Sequence, residues 1–318
     1  MTESAYHTPI MLGEVLDLIK PERAEVTVDG TLGGGGHSEG ILERLPKTSI
    51  HFGIDRDEDA IREAEKRLSA YENFRAVRGN FFDMKAILPL DAYGFKGVDG
   101  IILDLGVSSH QLDDGQRGFS YGIEAPLDMR MDRSAPLSAY DVVNTYDRDR
   151  LFRIIRDYGE ERFAGRIAGA IAAYREKHPI ETTTELAEII KGAIPAPARR
   201  EGPHPARRTF QAIRIEVNSE LDGLDKAVRD AAELLAPDGV LAVITFHSLE
   251  DRIVKNVFRE LKNPCTCPPS APVCICGKKP IADILTPKPI TACEAEVERN
   301  PRSRSAKLRA IRRTHNDL

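Results

Sequence analysis

The sequence lacks any apolar run of the roughly 18 to 20 residues that a membrane span requires. Its opening residues also lack the basic and apolar regions of a secretory signal. Cysteine is scarce, with 5 among 318 residues. An odd number confined to the last quarter of the chain makes a poor disulfide framework. We therefore expect a soluble cytoplasmic protein with reduced thiols and no membrane partner.

The chain also has little net charge and no internal repeat or low-complexity tract. Its 45 Lys+Arg against 50 Asp+Glu give a formal charge of -5. The overall field therefore does not attract a polyanion, and a nucleic acid must be bound by local basic patches. The 41% hydrophobic content suffices for a sizeable core, which excludes a disordered or fibrous protein.

Short β-branched runs alternate with helical patterns over the first hundred residues, as is typical of βαβ units in a doubly wound parallel sheet. The predicted strands are 25–29, 50–55, 74–77 and 98–103. A mainly helical pattern follows Gly106, and a long helix over 210–235 precedes a strand over 240–246. We predict an α/β domain in two parts, 1–112 and 208–318, the second with a basic C-terminal tail. An inserted helical domain over 113–207 separates them.

A glycine-rich segment, DGTLGGGGHS over 29–38, lies between a predicted strand and a predicted helix. Glycines let the backbone approach a ligand, and a helix N-terminus offers unpaired N–H donors. The alternative is a tight turn that needs positive φ, but four consecutive glycines exceed that need. Asp55, about twenty residues further on, is placed to accept hydrogen bonds from ribose hydroxyls. Its alternative role is the N-cap of the next helix.

A carboxylate that binds ribose does not distinguish a nicotinamide dinucleotide from S-adenosylmethionine, because both carry an adenosine. The glycines here are not spaced as G-x-G-x-x-G, and no second phosphate-binding loop is evident. The sequence therefore favours a methyl donor over the cofactor of a nicotinamide oxidoreductase.

Nine segments of the chain resemble the 16S ribosomal RNA (cytosine N4) methyltransferase family (RsmH/MraW). They are DGTLGGGGHS (29–38), LDLGVSS (103–109), QLDD (111–114), RGFS (117–120), PLDMRMD (126–132), YGEERF (158–163), RTFQAIR (208–214), FHSLEDRIVK (246–255) and NPRSRS (300–305). These strings are peculiar to one family and span nearly the whole chain.

The resemblance implies a class I S-adenosylmethionine-dependent methyltransferase with a Rossmann-like, doubly wound sheet and an inserted substrate-recognition domain. The implied reaction methylates the exocyclic N4 of a specific cytidine in the decoding (P-site) region of 16S ribosomal RNA in the small ribosomal subunit. The implied cofactor contacts are Gly35, Gly36, His37, Asp55, Phe81, Asp104 and Gln111. Phe81 as a core residue and Gln111 as a helix cap remain alternatives. A ribosome-assembly factor that keeps S-adenosylmethionine as a structural ligand is the alternative function.

Methylating a cytosine amine demands geometry and hydrogen-bond acceptors more than acid–base strength, because the nitrogen lone pair is delocalised into the ring. Asp104, Ser108 and Ser109 are the candidate acceptors. The chain lacks the Asp/Asn-Pro-Pro-aromatic string usual among amino-methyltransferases, so this assignment stays open. Phe119, Tyr121 and His247 are candidates to stack on the base. Ser248-x-x-Asp251 is a typical helix start, and His247 and Glu250 remain open to a role at the substrate.

The target base must be unpaired or turned out of its stack, which favours a single-stranded loop of the RNA. Candidate phosphate contacts come from two basic clusters, of which we select Arg207, Arg208, Arg214, Arg302 and Arg304. Their alternative role is a solvated surface. Arg130, between two aspartates, is a candidate for a structural ion pair. The sequence leaves monomer and homodimer open.

Cys265-x-Cys267 and Cys274-x-Cys276 offer four thiolates to a tetrahedral structural zinc. The C-x-C spacing is a weaker signal than C-x-x-C, and the family resemblance does not require a metal. Free thiols in a surface loop are the alternative.

Overall fold

The computed structural model describes residues 9–106, 115–200, 204–268 and 273–316. These residues form two compact units. The first, which we call the sheet unit, comprises the described residues up to Gly106 and those from Gly223 onward. The second, the helical unit, comprises the described residues from Gly115 to Asp222.

One sheet with the strand order β3-β2-β1-β4-β5-β8-β6 crosses the sheet unit, and β7 pairs with β8 beside this path. The strands are β1 (Val26–Asp29), β2 (Ile50–Asp55), β3 (Phe74–Arg78), β4 (Val98–Asp104), β5 (Leu235–Thr245), β6 (Ala282–Ile284), β7 (Ile290–Thr291) and β8 (Lys307–Arg313). The first five run parallel, and β8 is antiparallel to its three neighbours. The predicted doubly wound α/β fold is confirmed.

The central strands are apolar because both faces of the sheet are covered. All four residues of β1 are buried, and Ile101, Ile102 and Leu103 of β4 are fully buried. Side chains from helices of the sheet unit, such as Val15 and Ile19, provide part of this cover. The helices of the unit are α1 (Leu12–Ile19), α2 (Gly36–Arg44), α3 (Glu58–Arg67), α4 (Met84–Ile87), α10 (Leu224–Leu234), α11 (Ser248–Lys262) and α12 (Glu294–Arg299). Because β1, β2 and β4 run parallel, their carboxyl ends lie at the same edge of the sheet.

The helical unit has its own apolar core, which includes Val142, Ile155 and Ile171. Its helices are α5 (Ala139–Thr145), α6 (Arg148–Asp157), α7 (Ala164–Arg175), α8 (Thr183–Ala193) and α9 (Arg207–Asn218). Thr182 caps α8 by accepting from the Glu185 backbone N–H at 3.2 Å. This cap satisfies a donor that the first turn leaves unpaired.

The single helix predicted over 210–235 is wrong, because two helices occupy that segment. Ser219 and Gly223 adopt left-handed backbone with φ of 49° and 83°, which interrupts the helical path. α9 packs in the core of the helical unit through Phe210 and Ile213. The predicted division at 207/208 assigns this helix to the α/β domain, whereas the compact unit extends to Asp222.

The basic C-terminal run is not a free tail between Lys307 and Arg313, because these residues form β8. Arg309 is buried, and its Nε donates to Asp251 Oδ1 at 2.6 Å. Lys307 Nζ donates to the other oxygen of Asp251 at 3.3 Å. Pairing with Asp251 therefore accounts for part of the positive charge of this strand.

Among the described residues, no helix combines the length and the apolar character needed to cross a membrane.

Candidate active site

The glycine-rich loop joins β1 to α2 and is bound to both neighbouring strands. The Gly30 backbone N–H donates to the Ile102 carbonyl of β4, and the Leu32 N–H donates to the Ile54 carbonyl of β2, both at 2.9 Å. Asp29, the last residue of β1, accepts from the Thr31 N–H at 3.0 Å and the Ser38 hydroxyl at 2.9 Å. The loop therefore has a fixed path at the carboxyl edge of the sheet.

The glycines of this loop meet two different requirements. Gly33 and Gly35 adopt left-handed backbone with φ of 49° and 79°, which supports the turn interpretation for these two positions. Gly30 has no room for a side chain, since a Cβ there would lie 2.4 Å from Leu103 Cδ2. Gly36 begins α2, where the first N–H groups have no acceptor within the helix. The positive φ angles support the turn interpretation, and the ligand interpretation of the loop stays a prediction.

Asp55 lies at the end of β2 and faces the loop. Its Oδ2 accepts from the Gly33 N–H at 2.8 Å, and its Oδ1 accepts from the Asp57 N–H at 2.9 Å. The N-cap alternative for Asp55 is wrong, because Asp57 caps α3 by accepting from the Asp59 N–H. Burial raises the pKa of Asp55, against the lowering effect of these two N–H donors. Each carboxylate oxygen retains a further lone pair for a ligand hydroxyl.

Asp104 ends β4 beside the loop, and its backbone N–H donates to Thr31 Oγ1 at 2.6 Å. Its Oδ2 lies 3.7 Å from His37 Nδ1. Its Oδ1 is buried and has no hydrogen-bond partner among the described residues. A buried acceptor without a donor is costly, so a hydrogen-bond donor on a ligand would stabilise it.

His37 is oriented by the Ile10 carbonyl, which lies 2.9 Å from its Nε2. Because a carbonyl only accepts, Nε2 carries a hydrogen, and Nδ1 is the atom that faces Asp104. His37 is buried, so burial and this hydrogen bond together fix the ring beside the carboxylate.

Neighbouring groups shift the pKa values of the carboxylates at this edge of the sheet. Burial raises the pKa of Asp104 to about 6; His37 and the Gly106 backbone N–H oppose this shift, and the negative charges of Asp29 and Glu250 reinforce it. Burial also raises the pKa of Asp29.

The sequence prediction missed Asp29 and Thr31 as structural parts of the site, although an Asp followed two residues later by Thr at a strand end is a signal for such a turn.

His247 caps α11 rather than standing apart as a free ring. Its Nδ1 accepts from the Glu250 N–H at 3.4 Å, and Glu250 Oε2 accepts from the Phe246 N–H at 2.8 Å. The predicted helix start at Ser248 is displaced by one residue, because His247 and Glu250 form the capping box. Both residues follow β5, the neighbour of β4.

The aromatic candidates occupy different surroundings. Phe81 follows β3 and packs edge-to-face on Phe82 with ring centroids 4.6 Å apart. It is only half-buried and reaches the loop, because a Cβ on Gly30 would lie 3.3 Å from Phe81 Cβ. In the helical unit, Phe119 belongs to the apolar core and Tyr121 stacks on His204 at 4.5 Å. Ser108, Ser109 and Gln111 lie outside the described residues.

Two further predictions concern charged groups of the helical unit. Arg130 donates through Nε to Asp128 Oδ1 at 2.7 Å, so the structural ion pair is confirmed. Arg214 makes a two-pronged contact with Glu220, with both N–O distances at 2.8 Å. Arg207 and Arg208 are exposed.

Comparison with known protein families shows which family this chain belongs to. The model of the MraW methylase family matches residues 4–314. The chain belongs to the MraW methylase family. It is therefore a methyltransferase, and the predicted class I fold agrees with its sheet order.

Curated relatives of this family member match over almost their whole length. A ribosomal RNA small subunit methyltransferase H of Clostridium botulinum (strain Kyoto / Type A2) is 55% identical over 307 residues, covering 96% of this chain and 98% of the relative. The protein of that name from Symbiobacterium thermophilum is 52% identical over 307 residues, covering 96% of both chains. A solved structure described as a putative rRNA-methylase from Clostridium thermocellum covers 98% of this chain and 99% of its own, with 10% identity and a TM-score of 0.44.

S-adenosylmethionine, the methyl donor of this enzyme class, fits the residues at this edge. Asp55 offers carboxylate lone pairs suited to ribose hydroxyls. Phe81 offers an aromatic face, and Gly35 and Gly36 offer backbone that a ligand can approach. Asp104 offers its buried Oδ1, which accepts no hydrogen bond from the described residues.

Replacing Asp55 by alanine is expected to weaken binding of S-adenosylhomocysteine about 10- to 100-fold. The change removes a carboxylate that accepts from the Gly33 N–H and that we expect to accept ribose hydroxyls, and a charged hydrogen bond contributes about 1.5–3 kcal/mol. Isothermal titration calorimetry measures the loss. Asp59→Ala, in the first turn of the following helix α3 and paired with Arg62 at the surface, is the matched control. Unchanged affinity in folded Asp55→Ala would refute the ribose assignment.

Proposed function

We propose that this methyltransferase uses S-adenosylmethionine to methylate the exocyclic N4 of a specific cytidine in the decoding region of 16S ribosomal RNA, within the small ribosomal subunit in the cytoplasm. The curated relatives named as ribosomal RNA small subunit methyltransferase H support the substrate class, at more than half identity across the chain. The observation that carries the chemistry is the buried Oδ1 of Asp104 at the carboxyl end of β4, which has no hydrogen-bond partner within the described part of the chain.

The cofactor pocket in this proposal combines Gly35, Gly36, His37, Asp55, Phe81, Asp104 and Gln111. S-adenosylmethionine, when bound, supplies an electrophilic methyl group on a sulfonium that leaves as a neutral thioether. Asp55 holds the ribose, and Phe81 lies against the adenine. The carboxylates near the edge favour a cationic ligand, because Asp104 and Glu250 already repel one another there.

Asp104 acts on the amine of the cytosine. Its carboxylate accepts an N–H hydrogen bond, which turns the nitrogen lone pair away from the ring and toward the methyl carbon. When the nitrogen bonds to that carbon it becomes cationic, and one of its protons passes to Asp104. His37 holds the carboxylate in place from the other side. Ser108 and Ser109, four and five residues after Asp104 in sequence, are the proposed further acceptors, and His247 is the proposed neighbour of the base.

The RNA is proposed to contact basic side chains on both units. Arg207 and Arg208 are exposed at the start of α9, and Arg304 is exposed before β8. Arg302 is half-buried, and Arg214 has its guanidinium paired with Glu220. Phosphate contacts of this kind position the RNA without reading its sequence. The target cytidine must be unpaired to enter a pocket.

The proposal is tested with methyl-labelled S-adenosylmethionine and small subunits prepared from cells that lack this methyltransferase. Label is expected on the N4 of one cytidine of 16S ribosomal RNA, located by nuclease digestion and mass spectrometry. Label on another atom of the RNA would overturn the N4 assignment. Binding of subunits without any transfer of label would instead favour an assembly factor, and no binding of S-adenosylhomocysteine would refute the cofactor assignment.

The double variant Arg207→Ala/Arg208→Ala is expected to raise the KM for small subunits while kcat changes little, because lost phosphate contacts weaken ground-state binding. The slope of log affinity against log salt concentration should become shallower by about 2, at roughly one unit per contact. Arg153→Ala, an exposed arginine of the same unit, is the control. An unchanged salt slope in the double variant would remove these two residues from the RNA interface.

A further inference from the structure

The loop between α11 and β6 brings four cysteine side chains together. Cys265 Sγ lies 3.5 Å from Cys274 Sγ and 3.8 Å from Cys276 Sγ. Cys274 Sγ lies 3.8 Å from Cys267 Sγ and 3.4 Å from Cys276 Sγ. All four sulfurs are within 4.8 Å of one another. We call this group the thiol cluster.

These separations suit a metal and exclude disulfides. A disulfide requires sulfurs about 2.05 Å apart, and the four cysteines are free. In a tetrahedral site with Zn–S bonds of about 2.3 Å, the sulfurs lie roughly 3.8 Å apart. The four Sγ–Sγ distances given above, between 3.4 and 3.8 Å, approach the edge length of that tetrahedron.

Backbone N–H groups surround the sulfurs as they do around thiolates. The Ile275 N–H donates to Cys267 Sγ at 3.3 Å. The N–H groups of Thr266 and Lys278 donate to Cys276, and the Cys276 N–H donates to Cys274. Gly277, with φ of 67°, makes the turn that brings the Lys278 N–H back. Such donors orient metal ligands and stabilise their negative charge.

No apolar core holds the cluster together. The loop is closed at its base by the Ile281 N–H, which donates to the Leu261 carbonyl at 3.0 Å. Between these two residues, every described side chain is exposed or half-buried. Val273 and Ile275 have 71% and 88% of their surface exposed. Another source of stability must therefore fix the cysteines.

We propose that the thiol cluster binds one zinc ion through Cys265, Cys267, Cys274 and Cys276. Four thiolates complete a tetrahedral shell and leave no position for a substrate or water, so the site is structural rather than catalytic. Soft sulfur ligands in this geometry select zinc over oxygen-preferring cations such as Mg²⁺. The ion orders the loop and fixes the direction in which Val273 and Ile275 project.

Metal analysis of the purified full-length chain tests the site. Mass spectrometry of the metals is expected to find about one zinc per chain, because a closed tetrathiolate binds zinc tightly. The double variant Cys274→Ser/Cys276→Ser should lose it, and Cys293→Ser should retain it. Cys293 is the matched control, since it is an exposed cysteine at the start of α12 and outside the cluster.

Cobalt substitution supplies a second measurement that does not depend on activity. The wild-type chain loaded with Co²⁺ should show the intense visible bands of a tetrahedral thiolate site, and the double variant should lack them. Thermal unfolding and S-adenosylhomocysteine binding show whether the double variant keeps its fold. Zinc well below one equivalent in fully reduced wild type, before and after zinc addition, would overturn the proposal. Iron in place of zinc would overturn the choice of metal.

Discussion

Replacing Asp104 by asparagine is expected to lower kcat for methyl transfer at least about 100-fold, the typical loss when one preorganised electrostatic contact is removed. Asparagine keeps the shape of the side chain but cannot take a proton from the amine. The measurement is single-turnover transfer of labelled methyl to small subunits. Asp99→Asn is the control at the opposite end of β4, where the carboxylate only accepts from the N–H groups of Glu25 and Val26.

The same carboxylate predicts a pH profile. Burial raises the pKa of Asp104 from its ordinary value of 3.8 to about 6. The activity of the wild-type enzyme is therefore expected to rise with pH and to level off above about 6, once the carboxylate is ionised. Asp104→Asn should remove this rise from the residual activity. An unchanged profile in the variant would show that another group controls the reaction.

Asp104 is also expected to lower the free energy of unfolding at neutral pH. Because its folded pKa exceeds the unfolded value, stability is highest when both states are protonated and falls as pH rises from about 4 to 6. Asp104→Asn should therefore be about 1 to 3 kcal/mol more stable than wild type near neutral pH, with no such gain at pH below about 4. Loss of activity together with this gain would separate a functional carboxylate from a structural one.

Replacing Asp251 by alanine is expected to destabilise the sheet unit by about 3–5 kcal/mol, because it leaves a buried guanidinium without a counter-charge. Arg309 has only 9% of its side chain exposed and lies 2.6 Å from Asp251. The measurement is urea unfolding of the full chain, in which the transition of the sheet unit gives its free energy of unfolding. Asp283→Ala is the matched control, since its pairing with Arg312 on the same sheet is half-exposed; exposed pairs contribute about 0–1 kcal/mol.

The pH dependence of this ion pair has the opposite sign to that of Asp104. Burial works to raise the pKa of Asp251, but Arg309 and Lys307 outweigh it and hold the pKa below 3.8. The stabilisation is therefore present at neutral pH and is lost as pH falls below the unfolded value. A difference of less than about 1 kcal/mol between wild type and Asp251→Ala would show that water, rather than Asp251, compensates Arg309.

Patterns local in sequence predicted much of the fold and the site. The apolar run of β4, the glycine loop and Asp55 are each fixed by the strand-to-helix connections that contain them. Non-local pairing was harder to predict. The charges of β8 suggested a tail, because the side chain that neutralises Arg309 lies 58 residues away.

The boundary between α9 and α10 was not predicted for a related reason. A continuous apolar stripe runs past Asn218, and only the left-handed backbone of Ser219 and Gly223 separates α9 from α10. Serine carries no strong signal for that conformation. His247 as a helix cap was equally hidden, since capping preferences point to Ser and Asp. Nor does the sequence show that Asp104 Oδ1 is buried without a hydrogen-bond partner among the described residues, because burial is a property of the three-dimensional structure.

The interior position of β8 constrains how the chain is made. Strands β1 to β5 leave the ribosome first, and β5 then exposes a full edge of unpaired amides until residues 307–313 arrive to pair with it. The sheet therefore closes only after residues 307–313 have been made. A message truncated shortly before this strand yields a protein with an open edge, suited to aggregation and to capture by chaperones.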